Sequence, residues 1–155
     1  MNSKSNWLVH DHHMYEETLE NCLEAAEVND WKDAVALFKK FLDDIQLHMR
    51  IEDDVIYPLI ADKHGDIGDK VARLNDEHDD IVRLANDMVH VIMTKDFDHF
   101  ERSLEPLYKV LSRHNRHEEA VFLSAEVETI LLQRDEIMMQ LEAISPQSQG
   151  RNWDF

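Results

Sequence analysis

Apolar residues recur at three- and four-residue steps through four long segments of the chain, over residues 8–26, 31–59, 67–92 and 97–122. This period is typical of helices that bury one face, whereas half-buried strands would alternate apolar and polar residues. Only three glycines and three prolines interrupt the 155 residues, so long stretches are free to be helical. Because short connections between long helices favour antiparallel neighbours, we predict an all-α protein, an up-down-up-down four-helix bundle with an extra C-terminal helix.

Polar residues between these segments indicate where the helices begin and end. Asp30 and Asp96 stand before the second and fourth segments, where a carboxylate can accept hydrogen bonds from the first helical turn. The glycine-containing stretch 62–68 is expected to connect the second and third helices. Pro106 lies inside the fourth segment and predicts either a kink or a helix that begins near Ser103.

A fifth, shorter apolar pattern runs from Val127 to Leu141. It predicts the extra helix, which would pack outside the bundle or mediate a homodimer. The last residues, 145–155, are expected to form a flexible tail. We therefore expect a single domain over residues 1–144.

Composition limits the partners and the compartment of this chain. Lys and Arg number 16 against 33 Asp and Glu, and the resulting net charge of −17 disfavours nucleic acid as a partner. No apolar run is long enough for a membrane span, and polar residues occur too early in the chain for a signal-peptide core. The single cysteine, Cys22, suits a reducing compartment. These features predict a cytoplasmic protein without a membrane partner.

Six polar residues occupy positions at which the apolar segments would otherwise continue. They are His12, His48, Glu52, His78, His114 and Glu118. Burying such groups without partners is costly, because each desolvated polar atom loses its hydrogen bonds to water. A bound metal would supply the missing partner.

The spacing of the six residues shows a duplicated unit. In each half, 36 residues separate the two histidines and a glutamate follows four residues after the second, and the second half is displaced by 66 residues from the first. At about 1.5 Å per helical residue, the paths up one helix and down the next have matching lengths. All six residues are therefore expected to meet in one layer across the bundle.

A His-x-x-x-Glu step alone is weak support for a metal site in so acidic a chain, because steps that begin at His12 and His13 also fit it. Only His12, and not His10 or His13, lies in helical phase with Leu8 and Leu19. A single core histidine is more often a hydrogen-bonded, inert group than a ligand. Six residues in matched register favour the metal site.

Other polar residues are given simpler interpretations. The remaining histidines downstream are expected at the surface or as loop caps: His64, His90, His99 and His117. Asp11 and Glu77, which each precede a proposed ligand, are expected either to be solvated or to orient an imidazole. Tyr15 is expected in the core, with its hydroxyl as a minor candidate for the metal pocket.

Four imidazoles and two carboxylates suit iron, manganese or zinc and exclude an all-oxygen calcium site. Six ligands are too many for one tetrahedral zinc. Two ions use every ligand if the first two histidines hold one ion, the last two hold the other, and both glutamates are shared. Each ion would keep open positions for water, oxide, O2, NO or peroxide.

The motifs also resemble those of a known family. The matching pieces are Asp11-His12, His48-Met-Arg-Ile-Glu52 followed by Tyr57-Pro58, Glu77-His78, and His114-Asn-Arg-His-Glu118-Glu119. Over residues 7–125 the chain resembles the hemerythrin-like proteins, the His-His-Glu (HHE) cation-binding domains. The resemblance implies a four-helix bundle around a non-haem di-iron centre, with two iron ions (manganese or zinc as alternatives) and an oxo, hydroxo or water bridge.

The chain departs from the oxygen-carrying members of that family. Those proteins have a fifth histidine, four residues from another on helix three, where this chain has Leu74 and Val82 around His78. Their last carboxylate is an aspartate five residues after its histidine, whereas Glu118 follows after four. The pattern is closer to a subgroup with four histidines and two glutamates, linked to repair of stress-damaged iron centres, iron handling or gas sensing.

Three functions follow as hypotheses. The first is a di-iron protein that binds or senses O2, NO or peroxide, and the second is a redox or iron-donating protein that repairs damaged iron centres. The third is a structural metal-binding bundle. The Glu-x-x-His pairs of ferritin-like oxidases are absent at the proposed ligands, as is the His-Glu-x-x-His motif of metalloproteases. We therefore assign no catalytic residue and favour a binding protein over a dedicated enzyme.

Overall fold

The computed structural model describes residues 7–63 and 68–124, together with residue 139. Throughout these ranges the chain is helical apart from short turns, and no strand occurs in them. The helices are α1 (Trp7–Glu27), α2 (Trp31–Ile51), a π-helical turn (Glu52–Ile56), α3 (Tyr57–Lys63), α4 (Gly68–Ile92) and α5 (Phe97–Ser124). Because α2, the π-turn and α3 follow one another without a break, the chain forms four helical rods. The predicted all-α helical bundle is confirmed.

The two tight turns between rods repeat the same local structure. Asp30 precedes α2 and accepts from the Asp33 backbone N–H at 3.1 Å, and Asp96 precedes α5 and accepts from the His99 N–H at 3.2 Å. Both predicted helix caps are therefore confirmed. In each turn the residue before the cap has a positive φ, and this residue is Asn29 in one turn and Lys95 in the other. The repeat of the sequence thus extends into the backbone.

A π-helical turn at Glu52–Ile56 widens the second rod. The Tyr57 N–H donates to the Glu52 carbonyl, five residues back instead of four. One extra residue in the turn shifts the phase of everything after it, so Val55, Ile56 and Tyr57 are all buried. Such turns are frequent at functional sites.

Pro106 lies within α5, which runs unbroken from Phe97. The alternative prediction that this helix begins near Ser103 is therefore wrong. The Asp96 cap starts the helix one and a half turns earlier, and the proline removes only one backbone hydrogen bond from the interior. A kink at this proline stays a prediction.

Two apolar clusters fill the core, and the polar layer lies between them along the rods. The larger cluster includes Phe38, Phe41 and Phe100, and the smaller one is built around Ile56 and Ile60. On α4 the smaller cluster takes residues 71 and 74, the polar layer 77 and 78, and the larger cluster 81 onwards. The order along α5 is reversed.

Two contacts show that α1 and α2 run antiparallel. The Cys22 thiol donates to the Ala34 carbonyl near the connecting turn, and His12 meets His48 farther from it. The alternating direction of all four rods stays a prediction. No helix within the described ranges is long and apolar enough to cross a membrane. The expected helix over 127–141, the tail over 145–155 and the side chain of His64 lie outside the described residues.

Candidate metal centre

The structure brings all six predicted ligands together in one buried layer. Each rod contributes: His12 comes from α1, His48 from α2, His78 from α4 and His114 from α5, while the two glutamates lie one turn beyond His48 and His114. Exposure is between 0% and 4% for every one of them. The convergence expected from the repeat is therefore present.

The imidazoles meet in two pairs through their Nε2 atoms. His12 Nε2 lies 3.2 Å from His48 Nε2, and His78 Nε2 lies 3.1 Å from His114 Nε2. The two members of each pair are the histidines that stand 36 residues apart in the sequence. Each half of the duplicated unit thus supplies one imidazole pair.

Glu52 and Glu118 each span both imidazole pairs. The Glu52 oxygens lie 3.1 Å from the Nε2 atoms of His48 and His78. The Glu118 oxygens lie 3.0 Å from His12 Nε2 and 3.2 Å from His114 Nε2. Each carboxylate therefore presents one oxygen to each half of the centre.

The donors fit two cations. They form two groups, each with one imidazole pair and both glutamates, and within each group the donor atoms lie within 4.8 Å of one another. Two ligands bound to a cation at about 2.1 Å and at right angles are about 3 Å apart, close to the separations seen here. The Glu52 oxygens are buried and make no hydrogen bond within the described residues. A buried carboxylate without a donor is costly, and a bound cation would satisfy it.

Four further carboxylates face the outer nitrogens of the imidazoles. Asp53 accepts from His78 Nδ1 at 2.8 Å and Glu77 from His114 Nδ1 at 2.9 Å. The other two approach more loosely, with Glu119 3.4 Å from His12 Nδ1 and Asp11 3.6 Å from His48 Nδ1. An Nδ1–H that donates to a carboxylate fixes the tautomer in which Nε2 is free to bind metal.

These outer contacts connect the four rods in a closed ring. A carboxylate from α1 faces the imidazole on α2, and one from the π-turn faces the imidazole on α4. A carboxylate from α4 faces the imidazole on α5, and one from α5 faces the imidazole on α1. In every case the acceptor is the residue next to a ligand in the sequence. The ring follows the 66-residue repeat, since Asp11 matches Glu77 and Asp53 matches Glu119.

The sequence predicted only part of this outer layer. Glu77 is buried and accepts a hydrogen bond from an imidazole. The alternative in which it orients an imidazole is therefore observed, and the alternative in which it is solvated is wrong. Asp53 and Glu119 were not predicted, although the repeat register relates them to each other. His117, expected at the surface or in a loop, is half-buried and donates from Nδ1 to Glu77 at 2.8 Å. His90 and His99 are exposed, as expected.

Tyr57 breaks the symmetry of the centre. Its hydroxyl donates to Glu118 Oε2 at 2.5 Å and lies 3.3 Å from His78 Nε2, and its ring stacks on the His78 imidazole. The sequence analysis named Tyr57 only as part of a motif and gave it no role at the centre. The π-turn is what rotates it inward, and Leu123 stands at its place in the second half. Tyr15, expected in the core, packs edge-on against His48.

Charge in the metal-free centre is balanced between imidazoles and carboxylates. Burial lowers the pKa of His114, but hydrogen bonds to Glu118 and Glu77 outweigh it and raise that pKa to about 10. Burial also opposes protonation of His48, yet the charge of Glu52 and neighbouring carboxylates hold its pKa well above the ordinary value. Both imidazoles therefore favour the protonated form when no cation is bound, and binding of a cation would release those protons.

A small void adjoins the donors. It measures about 10 Å³, and its apolar wall consists of Tyr15, Ile45, Ile81 and Leu111. A volume of this size is close to that of one water molecule. The void admits a ligand of only a few atoms.

Fold and site together define an all-helical protein with a buried His/Glu cluster that could hold metal ions. The family model described as hemerythrin HHE cation-binding domain matches residues 3–125. The chain therefore belongs to the hemerythrin HHE cation-binding domain family, and binding of metal is the function that this membership implies. Among curated proteins and among solved structures, the comparisons found no match.

Proposed function

We propose that this protein holds two iron ions and binds a small ligand at them. His12 and His48 would hold one ion, His78 and His114 the other, and Glu52 and Glu118 would lie between them. The observation that carries this proposal is that both glutamates present one oxygen to each imidazole pair. A single cation would leave one pair unused.

The donor set supports iron over the alternatives. Imidazole nitrogen suits iron, zinc and copper, and carboxylate oxygen suits harder cations such as manganese, so a mixed set favours iron, with manganese or zinc as competitors. Two nitrogens and two shared oxygens per ion leave positions for a water-derived bridge and an added ligand. When bound, the iron pair would supply redox-active Lewis-acid positions for such a ligand.

The surroundings of the centre select the ligand by size. The void beside the donors is lined on its apolar side by residues that include Ile45, Ile81 and Leu111, and it has room for about one water-sized molecule. O2, NO and peroxide satisfy that limit, whereas metabolites do not. Tyr57 brings a hydroxyl to the opposite carboxylate, Glu118, and holds it in place. We therefore propose binding or sensing of such a ligand instead of turnover of a larger substrate.

Repair or donation of iron is the second candidate, and the ligand count favours it. Leu74, one turn before His78, packs in the smaller apolar cluster, so no fifth imidazole completes that side. His117, a further imidazole among the described residues, bonds Glu77 instead. The proposed four-His, two-Glu subgroup thus holds the ion pair with one nitrogen fewer than an oxygen carrier, which favours redox chemistry or release.

Purified full-length protein discriminates these functions. After anaerobic expression in iron-rich medium, we expect two irons per chain and near-ultraviolet absorption that changes reversibly with O2 or NO. Bleaching with transfer of iron to an apo-acceptor would favour the repair function instead. Protein that contains no iron would leave only a structural or zinc-binding bundle and would end the proposal.

The bridging role has its own test. We expect Glu52→Ala and Glu118→Ala to lose the paired ions, while one ion can remain in each. Retention of two irons per chain by both variants would contradict the bridging role. A cytoplasmic location, and a homodimer formed through the C-terminal helix, are further proposals that rest on composition and on the apolar pattern alone.

A further inference from the structure

A second cavity lies between α4 and α5, away from the small void. It has a volume of about 230 Å³ and is lined by Lys70, Arg73, Leu74, His117, Ala120 and Val121. The α4 residues lie on successive turns of one helix face, which points towards the end of α5. The cavity is smaller than the roughly 300–1,000 Å³ typical of sites for drug-sized ligands.

The cavity concentrates positive charge in an acidic protein. Lys70 and Arg73 are both exposed, and neither forms an ion pair with any carboxylate in the ranges 7–63 and 68–124. Both lie in the first two turns of α4, where the partial positive charge of a helix N-terminus adds to their own. Glu77, one turn beyond Arg73 on α4, bonds two imidazoles instead of either cation.

The wall of the cavity is apolar below these charges. Ala120 is exposed, while Leu74 and Val121 are buried members of the smaller core cluster and reach the cavity only at their edges. Two cations above an aliphatic surface are complementary to a molecule with a carboxylate at one end and a short hydrocarbon chain at the other. Such a molecule would gain charge-assisted hydrogen bonds and would remove apolar surface from water.

We propose that this cavity binds a small organic carboxylate. Lys70 and Arg73 hold the carboxylate group, and Ala120 contacts the aliphatic part together with the edges of Leu74 and Val121. The lining also includes His117, whose bond to Glu77 leads to His114, a proposed metal ligand. An occupant is therefore two hydrogen bonds away from the metal centre.

The test is calorimetric titration of sodium butyrate into the metal-loaded full chain at constant ionic strength. We expect saturable binding that weakens about tenfold or more in Lys70→Ala/Arg73→Ala, because each alanine removes one charged partner. The matched control is Arg83→Ala/Lys109→Ala, which also removes two positive charges, from exposed positions on α4 and α5. The control should bind butyrate as the unmodified protein does.

Two further ligands separate the possible sources of a signal. Inorganic phosphate should bind more weakly than butyrate, because it has no hydrocarbon part for the apolar wall, and sodium chloride should give no saturable heat. The proposal is overturned by an absence of saturable butyrate binding, or by equal affinity in both double variants, as binding directly at the metal would give. Phosphate that binds as tightly as butyrate also overturns it. Metal content should be unchanged in both variants, so either result leaves the di-iron proposal untouched.

Discussion

The contact between Asp53 and His78 is the strongest test of how the outer carboxylates support the centre. The Asp53 side chain is only 12% exposed and accepts from His78 Nδ1 at 2.8 Å. Asn75 also donates to the same Asp53 oxygen, at 2.6 Å, which holds the carboxylate in place. Asp53→Asn keeps the shape and the accepting oxygen and removes only the charge.

The expected loss falls on one ion. Outer partners of metal-bound histidines are typically worth about 10–100-fold in metal affinity, which is about 1.4–2.8 kcal/mol. The short, buried Asp53 contact should reach this range, and the loss should concentrate on the ion held by His78 and His114. Glu119→Gln should cost only a few-fold at the other ion, because Glu119 is 39% exposed and lies 3.4 Å from His12 Nδ1.

Chelator competition, followed by metal analysis at each step, measures the two affinities. Asp80→Asn is the matched control, since it removes the same charge from an exposed position on α4. Equal affinities in the Asp53 and Asp80 variants would refute the reasoning. So would a larger loss for Glu119→Gln than for Asp53→Asn.

Three other predictions concern single side chains. His48→Ala should lower metal content far more than His90→Ala, measured on purified protein, and equal losses would reject the ligand assignment. Tyr57→Phe should destabilise the metal-free protein by about 1.5–3 kcal/mol in urea unfolding, because the buried Glu118 carboxylate loses one of its hydrogen-bond donors. Tyr108→Phe is its control and should cost nothing, since that buried hydroxyl makes no hydrogen bond within the described residues. Burial opposes ionisation of Glu77, but hydrogen bonds to two imidazoles outweigh it and lower its pKa to about 2. The contribution of Glu77 to the stability of the metal-free protein is therefore complete above about pH 4.5 and is lost as the pH falls towards 2. The unfolding free energy of Glu77→Gln should therefore fall less steeply across that window; an identical slope would contradict this origin.

The sequence predicted the inner layer of the centre because that layer interrupts an apolar pattern. A histidine such as His78 is conspicuous because it occupies a core position in an otherwise apolar stripe. The matched spacing of such residues in the two halves of the chain predicts that they lie close together. Asp53 gave no such signal. Acidic residues are common on the exposed helix faces of this chain, so another aspartate is expected to be solvated. Its match to Glu119 in the repeat was available but pointed to no contact.

The π-turn could not be predicted from periodicity. One extra residue changes the helical phase by about 100°, which is about the width of a broad apolar stripe, so Val55 and Ile56 alone do not reveal it. The inward rotation of Tyr57 depends on that turn, and its role at the centre was missed for the same reason. The helix start at Phe97 was ambiguous because Pro106 is as compatible with a first turn as with an interior position.

The ring of outer carboxylates has a consequence for how such a centre can arise. Each helical hairpin places one carboxylate beside its own second histidine, as Glu77 beside His114, and another beside the first histidine of the opposite hairpin, as Asp53 beside His78. A lone hairpin would leave its first histidine without an acceptor. Two identical hairpins facing each other would complete every contact, so this type of hairpin is self-complementary, and a chain of half this length could assemble the whole centre as a symmetric pair.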